Sequence, residues 1–157
     1  MDPVKILFVC WGNICRSPAA ECVLHKMLGD QGLTAEISCD SAGTISAHAG
    51  QPPDGRMCQH ASMRSIPIRG QSRMISPEDG HKFDLILAMD RSNFSDLEAL
   101  GIAGNGKAEL KLFGEYIDSE NPPDIPDPYY GGHQGFETVL DMVEDGCARL
   151  IEHVISR

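Results

Sequence analysis

Residues 4–20 read VKILFVCWGNICRSPAA, and this stretch predicts the first structural unit of the chain. Residues 4–9 form a short, nearly continuous apolar run, which is typical of a strand buried on both faces of a parallel sheet. Ser17 and Pro18 are typical of an N-cap and a first helical position, and apolar residues then recur at helical spacing as far as Gly29 or Gly32. The stretch therefore predicts a strand, a loop and a helix.

The rest of the chain alternates between strand and helix patterns. Strand patterns occupy residues 36–41, 83–89 and, nearer an edge, 108–113. Helix patterns occupy residues 54–64, 91–100 and the long amphipathic segment 136–154. Residues 118–132 contain four prolines and two glycines and predict a loop. This alternation predicts an α/β fold of three layers, a parallel sheet with helices on both faces, as a single domain over residues 1–157.

The composition limits the classes of partner. The net charge is −10, from 23 acidic and 13 basic side chains, which argues against duplex nucleic acid or an anionic membrane as the main partner. No apolar run is long enough for a membrane span, and the apolar start is too short for a signal peptide. The six cysteines lack the spacing of a disulfide framework, so we expect a reducing, cytoplasmic location.

Cys10 has the local sequence of a reactive thiolate. It ends the apolar run, and Gly12 and Asn13 then allow the backbone to curl so that successive N–H groups point inward. Such a loop before a helix N-terminus binds anions and favours a thiolate, and Arg16 offers a planar fork suited to two phosphate oxygens. The alternative is a buried cysteine at a strand end beside a surface arginine. No nucleotide-binding glycine motif occurs, and Cys10 and Cys15 lack a second pair of metal ligands.

A second stretch, residues 58–65, repeats the spacing of the first. Each stretch has a cysteine, five residues, an arginine and a serine. No apolar strand leads into Cys58 and no glycine follows it, so the segment is typical of a helix. Cys58 and Arg64 would then lie on different faces. We interpret the second match as accidental, which also shows that the bare spacing is a weak signal.

Residues 9–21, VCWGNICRSPAAE, closely resemble the active-site signature of the low-molecular-weight protein tyrosine phosphatases. The resemblance continues through DSAGT (40–44), GQPPDGRM (50–57), FDLILAMDRSN (83–93), DPYYGG (127–132) and the helix after GFETV. It implies a four-stranded parallel sheet in a flavodoxin-like or Rossmann-like topology. It also implies hydrolysis of phosphotyrosine proteins or peptides, with no metal or other cofactor.

The resemblance implies roles for individual residues. Cys10 would be the nucleophile and form a phosphocysteine, and Asp127 would be the general acid and then the base. From the loop residues alone, Asp124 is a rival acid, and either aspartate could instead be a turn residue. Arg16 would bind phosphoryl oxygens within a phosphate-binding loop made of Trp11, Gly12, Asn13, Ile14, Cys15, Arg16 and Ser17. Ser17 would donate a hydrogen bond to the Cys10 thiolate. Support for the loop would come from Asn13, Ser17, Ser41 and Asp90, the last by capping a helix or tying loops.

The predicted rim of the site decides which phosphoester fits. Trp11, Tyr129 and Tyr130 would wall a deep pocket for a phosphorylated phenol, whereas phosphoserine is too short to reach its base. Many relatives have an aliphatic residue in place of Trp11. Ala47 and His48 would form another wall, although His48 fits a plain surface histidine equally well. Tyr129 and Tyr130 could instead anchor the loop, and by analogy with the family they could be phosphorylated by a tyrosine kinase.

Two further positions carry expectations. Cys15 would trap an oxidised Cys10 as a reversible disulfide, or is simply a small packed residue. Gly70 stands where many relatives have a histidine that supports the loop asparagine, so the support is expected to differ here, although Arg73 remains.

Three rival functions remain open. An arsenate reductase of the same fold needs further thiols near the site, and residues 83–89 contain none. A phosphoarginine phosphatase carries threonine where Ile14 stands. A non-catalytic phosphopeptide-binding module would need neither Cys10 nor Asp127.

Overall fold

The apolar residues 6–9 lie at the centre of a four-stranded parallel sheet. The computed structural model describes residues 2–104, 106–128 and 132–156. Its strands are β1 (Val4–Cys10), β2 (Ile37–Gly43), β3 (Leu85–Ala88) and β4 (Glu109–Leu112). They are ordered β2-β1-β3-β4 and all pairs are parallel, which is the strand order of a doubly wound, flavodoxin-like sheet. The predicted α/β class and the four-stranded sheet are confirmed.

Helices connect the strands. They are α1 (Arg16–Gln31), α2 (Gly55–Ser62), α3 (Asp79–Lys82), α4 (Arg91–Ala99) and α5 (Gly132–Ile155), with a short 3₁₀ helix at Phe113–Tyr116. Asp54 caps α2 by accepting two backbone N–H groups of its first turn, and Asp90 caps α4 by accepting one. The helix α3 was not predicted from the sequence, because four residues show no period.

The start of α1 differs from the prediction. The helix begins at Arg16 rather than after Ser17, and its N-cap residue is Cys15. Ser17 is inside the first turn, where its hydroxyl reaches the Cys10 thiol instead of capping the helix. Pro18 is tolerated there because the first N–H groups of a helix have no partner within it. Gly32, at φ +69°, ends the helix in the left-handed conformation that glycine adopts without strain.

The two faces of the sheet are buried in separate apolar layers. Alternate residues of β1 point to opposite faces, so Ile6 and Phe8 pack with α1 and α5, while Leu7 and Val9 pack with α4. Phe8 also meets Phe113 edge to face at 5.8 Å between ring centroids. Each of these fully buried side chains contributes about 1.5–3 kcal/mol of transfer free energy. Packing on both faces therefore fixes the position of β1 and of the loop that follows it.

The strand order determines where a site can form. The chain leaves β1 at Cys10, and the neighbouring strands β2 and β3 leave the sheet at the same edge, near Gly43 and Ala88. In such sheets ligands bind beyond the carboxyl ends of the strands, where the order reverses. Within the part of the chain that the structure describes, no helix is both long and apolar enough to span a bilayer.

Candidate functional site

The backbone after Cys10 curls into a tight loop that Arg16 closes. Asn13 adopts φ +56°, a left-handed conformation that asparagine tolerates better than most residues. Gly43, at the end of β2, lies against this loop so closely that a Cβ would come within 2.7 Å of the Trp11 carbonyl oxygen. Only glycine allows this approach without displacing the loop.

The carbonyl groups of the loop are hydrogen-bonded from outside. The Thr44 N–H donates to the Trp11 carbonyl at 3.0 Å, and the Asp54 N–H donates to the Ile14 carbonyl at 2.7 Å. The Ser72 hydroxyl donates to the Gly12 carbonyl at 2.9 Å. Because the N–H and C=O of one planar peptide point in opposite directions, these bonds direct the loop N–H groups inward. The interior of the loop is thus suited to an oxyanion.

The thiol of Cys10 lies at the base of this loop. Its Sγ is 3.0 Å from the Ser17 Oγ, and Cys10 is only 3% exposed. The Ser17 oxygen already accepts a hydrogen bond from the Asn13 amide, at 2.9 Å. Since a thiolate can only accept, the Ser17 hydroxyl donates to Cys10 whenever Cys10 is ionised.

Asn13 connects the loop to the surrounding elements. Its amide nitrogen donates to Ser17 and to Ser41, both at 2.9 Å, and its amide oxygen accepts the Arg73 N–H at 2.9 Å. Ser41 in turn donates to the Glu21 carboxylate at 2.6 Å. Burial raises the pKa of Glu21, with the Asp40 charge acting in the same direction and the Ser41 hydrogen bond opposing it. Asn13 therefore has a partner for each of its polar atoms.

Gly70 takes no part in the hydrogen bonds that hold the Asn13 side chain. It is exposed, adopts φ +113° and would place a Cβ in open space. The partners of the Asn13 amide are the hydroxyls of Ser17 and Ser41 and the backbone of Arg73. The Asn13 side chain is therefore fully hydrogen-bonded even though glycine, rather than histidine, stands at position 70.

The Arg16 side chain is buried and is held by partners from two distant segments. Its guanidinium donates to the Asp90 carboxylate at 2.5 Å and to the Ile125 carbonyl at 3.0 Å, and it is 3.9 Å from the Asp127 carboxylate. Burial would lower its pKa, but the negative charges of Cys10, Asp90 and Asp127 outweigh burial and raise it. A permanently charged guanidinium is thereby fixed beside Cys10.

A cavity of about 220 Å³ opens over the Cys10 thiol. Trp11 and His48 form one wall, with their rings edge to face at 6.5 Å between centroids. Trp11 is 51% exposed, so much of its ring faces the solvent at the mouth. Among the residues that the structure describes, the cavity is lined by Cys10, Trp11, Gly12, Ile14, Cys15, Arg16, His48 and Asp127.

The two rival acids occupy different environments. Asp127 lines the cavity and faces Arg16, with about two-fifths of its side chain exposed. Asp124 lies outside the cavity and pairs with the Arg91 guanidinium at 2.7 Å and the Arg91 N–H at 3.1 Å. Only Asp127 can therefore reach a molecule bound over Cys10.

Of the predicted rim residues that the structure describes, Ala47 is not brought to the cavity. Ala47 is exposed in the turn beside His48 and is not among the lining residues. Tyr129 and Tyr130 lie outside the described residues. Their places in the rim and their phosphorylation by a kinase therefore stay predictions. Conversely, the sequence did not single out Glu21, Ser72 or the Ile125 carbonyl as supporting groups. No sequence signal marks them, because they act only across long separations in the chain.

The other cysteines differ from Cys10. Cys15 is buried at the cavity wall, and burial, together with the charges of Asp54 and Cys10, raises its pKa well above the usual range. It is therefore a neutral thiol, and its disulfide with Cys10 stays a prediction. Cys58 lies in α2 with its sulfur toward the Pro53 carbonyl, outside the cavity, as expected for an accidental match.

Comparisons with known proteins agree with this geometry. The family model described as low molecular weight phosphotyrosine protein phosphatase matches residues 5–157. The human protein of that name is 40% identical over 149 residues, covering 94% of each chain. The crystal structure of a protein tyrosine phosphatase from Entamoeba histolytica, with Hepes in its active site, superposes with a TM-score of 0.89 at 40% identity, covering 98% of this chain and 97% of that one. A Drosophila arginine phosphatase gives a TM-score of 0.88 at 34% identity, covering 96% and 97%.

Proposed function

The chain belongs to the low molecular weight phosphotyrosine protein phosphatase family, and on that premise we propose that it hydrolyses phosphotyrosine through a covalent phosphocysteine at Cys10. One observation carries the proposal. One cavity is lined by a nucleophile, a cation and an acid. These are the Cys10 sulfur, the Arg16 guanidinium and the Asp127 carboxylate.

Binding of the phosphoryl group is the first step. The inward N–H groups of residues 11–16 and the Arg16 fork surround three phosphoryl oxygens above Cys10. Phosphoryl transfer depends on charge stabilisation and in-line positioning, and these donors are held in place before the substrate arrives. The Trp11 and His48 rings line the entrance, where a phenyl ring of the substrate would lie.

Attack by Cys10 then breaks the bond between phosphorus and the phenolic oxygen. The thiolate forms the sulfur–phosphorus bond while Asp127 gives its proton to the departing oxygen, because a tyrosyl leaving group with a pKa of about 10 departs poorly as an anion. In the second step Asp127 takes a proton from water, which attacks phosphorus and releases phosphate. The Ser17 hydroxyl stabilises the Cys10 thiolate as it departs, across the 3.0 Å contact.

Phosphotyrosine is favoured over phosphoarginine because of the cavity wall. A Drosophila arginine phosphatase has a similar structure, so the fold does not separate the two activities. Ile14 presents only hydrocarbon to this cavity, whereas a polar guanidino group or its attacking water needs a hydrogen-bonding partner. An aryl phosphate has no such requirement beyond its phosphoryl oxygens.

The other two rivals fit the site less well. An arsenate reductase needs a relay of thiols, and among the described residues Cys10 and Cys15 are the only cysteines on the cavity wall. A phosphopeptide-binding module has no use for a nucleophilic sulfur and an acid facing the same bound group. We propose phosphotyrosine proteins or peptides in the cytoplasm as the substrates.

A substrate comparison tests this function. With EDTA present, the chain should hydrolyse p-nitrophenyl phosphate and a phosphotyrosine peptide. It should hydrolyse phosphoarginine and phosphoserine peptides at least about tenfold more slowly than the phosphotyrosine peptide. The Ile14→Thr variant places a hydroxyl on the cavity wall. It should therefore lower the ratio of phosphotyrosine turnover to phosphoarginine turnover. Faster turnover of phosphoarginine than of phosphotyrosine by the unsubstituted chain would contradict the proposal.

The acid role of Asp127 has its own test. Asp127→Asn keeps the shape of the side chain but cannot protonate a leaving group, so kcat/KM should fall by about 10²–10⁴-fold for phenols of high pKa. The loss should shrink for phenols of low pKa, which depart without a proton. Asp124→Asn is the matched control and should behave like the unsubstituted chain. An equal loss for every phenol, or an equal effect of Asp124→Asn, would exclude the role.

A further inference from the structure

Two histidines from distant parts of the chain meet outside the cavity. His60 lies in α2 and His133 in the first turn of α5, and the His60 Nε2 is 3.4 Å from the His133 Nδ1. Their ring centroids are 5.5 Å apart and the rings are tilted by 48° rather than stacked. We propose that this pair binds a divalent transition-metal ion of the zinc class, bridging α2 and α5.

The separation of the two nitrogens fits one shared ion. Zinc binds histidine nitrogen at about 2.0–2.1 Å in tetrahedral geometry, so two such nitrogens on one ion lie about 3.4 Å apart. The observed distance between the His60 Nε2 and the His133 Nδ1 has this value. An ion could thus replace the contact between the rings while the two nitrogens keep this separation.

His60 is already oriented as a metal ligand. Its Nδ1 donates to the Glu137 carboxylate at 2.5 Å, which leaves the lone pair of Nε2 directed at His133. The same carboxylate–histidine arrangement fixes the tautomer and the ring of metal-bound histidines. The ring also stacks on Phe136, at 5.3 Å and 13°, and its side chain is only 14% exposed. Its position is therefore fixed before an ion binds.

His133 can become a ligand by exchanging one proton with water. When both imidazoles are neutral and no metal is bound, the His133 Nδ1–H donates to the His60 Nε2, because the hydrogen of His60 is on Nδ1 and is donated to Glu137. Metal binding needs the neutral His133 tautomer with hydrogen on Nε2. The proton lost from Nδ1 is matched by one gained on Nε2, so the net charge of the pair is unchanged. Protonating either imidazole to the cation would block binding.

The surrounding charges favour a cation. Arg64 pairs with the carboxylates of Glu137, Asp141 and Glu144 at 2.7, 2.9 and 2.7 Å, so three negative charges share one guanidinium. The guanidinium of Arg56, which lies over the Phe136 ring at 5.0 Å, is itself paired with Asp54.

Water would complete the coordination. The described residues contain no group of three or more His, Cys, Asp or Glu side chains that could hold one ion, so the two imidazoles would be its protein ligands. The sequence does not predict the site, because His60 and His133 are 73 residues apart.

Zinc titration by calorimetry tests the site. The titration uses the Cys10→Ser chain, in which no sulfur at position 10 competes for zinc. EDTA first removes any bound metal from this chain, and the EDTA is then removed. We expect one zinc per chain, with affinity rising with pH. His60→Gln and His133→Gln should each abolish binding, and Glu137→Gln should weaken it about tenfold. His81→Gln replaces an exposed histidine elsewhere and should change nothing.

A second readout does not depend on the substitutions. Zinc should shift the imidazole NMR signals of His60 and His133 and leave that of His81 unmoved. No zinc bound at millimolar concentration would overturn the proposal. So would binding that survives replacement of both imidazoles, or binding that leaves their signals unmoved.

Discussion

The Cys10→Ser variant should lose turnover by roughly 10⁵-fold while keeping its affinity for inorganic phosphate. Serine nearly preserves the shape of the side chain and its contact with Ser17, but its hydroxyl is a far weaker nucleophile than a thiolate. The loop N–H groups and Arg16 are untouched by the change, so phosphate should still inhibit or bind. Steady-state turnover and phosphate binding, measured on the same preparation, separate chemistry from folding.

Two other cysteines provide controls for this variant. Cys15→Ser alters a buried thiol of the same cavity, and Cys58→Ser alters the sulfur of the accidental match in α2. Both variants should retain most of the turnover, because burial keeps Cys15 a neutral thiol and Cys58 does not line the cavity. A Cys10→Ser chain that turns over substrate like the Cys15→Ser chain would contradict the assignment of the nucleophile.

Arg16→Lys should lower kcat by about 10³-fold, although the positive charge remains. A lysine ammonium cannot contact two phosphoryl oxygens in one plane. It also cannot replace both hydrogen bonds of the Arg16 guanidinium, to Asp90 and to the Ile125 carbonyl. Because the interaction strengthens as charge develops in the transition state, the loss should appear in kcat more than in KM.

Arg64 gives the matched control for Arg16. It occupies the same place in the accidental match, but it pairs with Glu137 and Glu144 on α5. Arg64→Lys should therefore leave kcat nearly unchanged. Unaltered kcat in Arg16→Lys, or an equal loss in Arg64→Lys, would show that the phosphoryl group is not bound as described.

The first structural unit could be predicted from local sequence because local sequence determines it. The continuous apolar run of β1 has only one favourable location, the middle of a sheet covered on both faces. Gly12 and Asn13 then mark a curled loop, and helical spacing marks α1. The edge position predicted for residues 108–113 is confirmed, since β4 ends the sheet on one side.

Ser17 shows where local rules fail. A serine before a proline at the start of an apolar helix has the pattern of an N-cap, yet the helix begins at Arg16, two residues before the predicted first helical residue. The hydroxyl contacts Cys10 and Asn13 instead. Tertiary contacts outweigh a capping preference worth about 1 kcal/mol.

Contacts between distant segments could not be predicted from spacing at all. Asp90 was expected to cap a helix or tie loops, and it does accept the Asn93 N–H, but its bond to Arg16 spans 74 residues. The Ser72 hydroxyl reaches the Gly12 carbonyl across 60 residues. Such pairs form because parallel strands end at one edge of the sheet, and only the folded chain specifies which side chains meet there.

A trapped phosphoenzyme tests the central proposal most directly. The Asp127→Asn variant, mixed with p-nitrophenyl phosphate and denatured within seconds, should accumulate a phosphorylated chain, because it lacks the base for the second step. Peptide mass spectrometry should locate that phosphate on Cys10 and find none in the matching Cys10→Ser sample. Phosphate on another residue, or steady turnover with an unmodified Cys10 at every time point, would contradict a phosphocysteine mechanism.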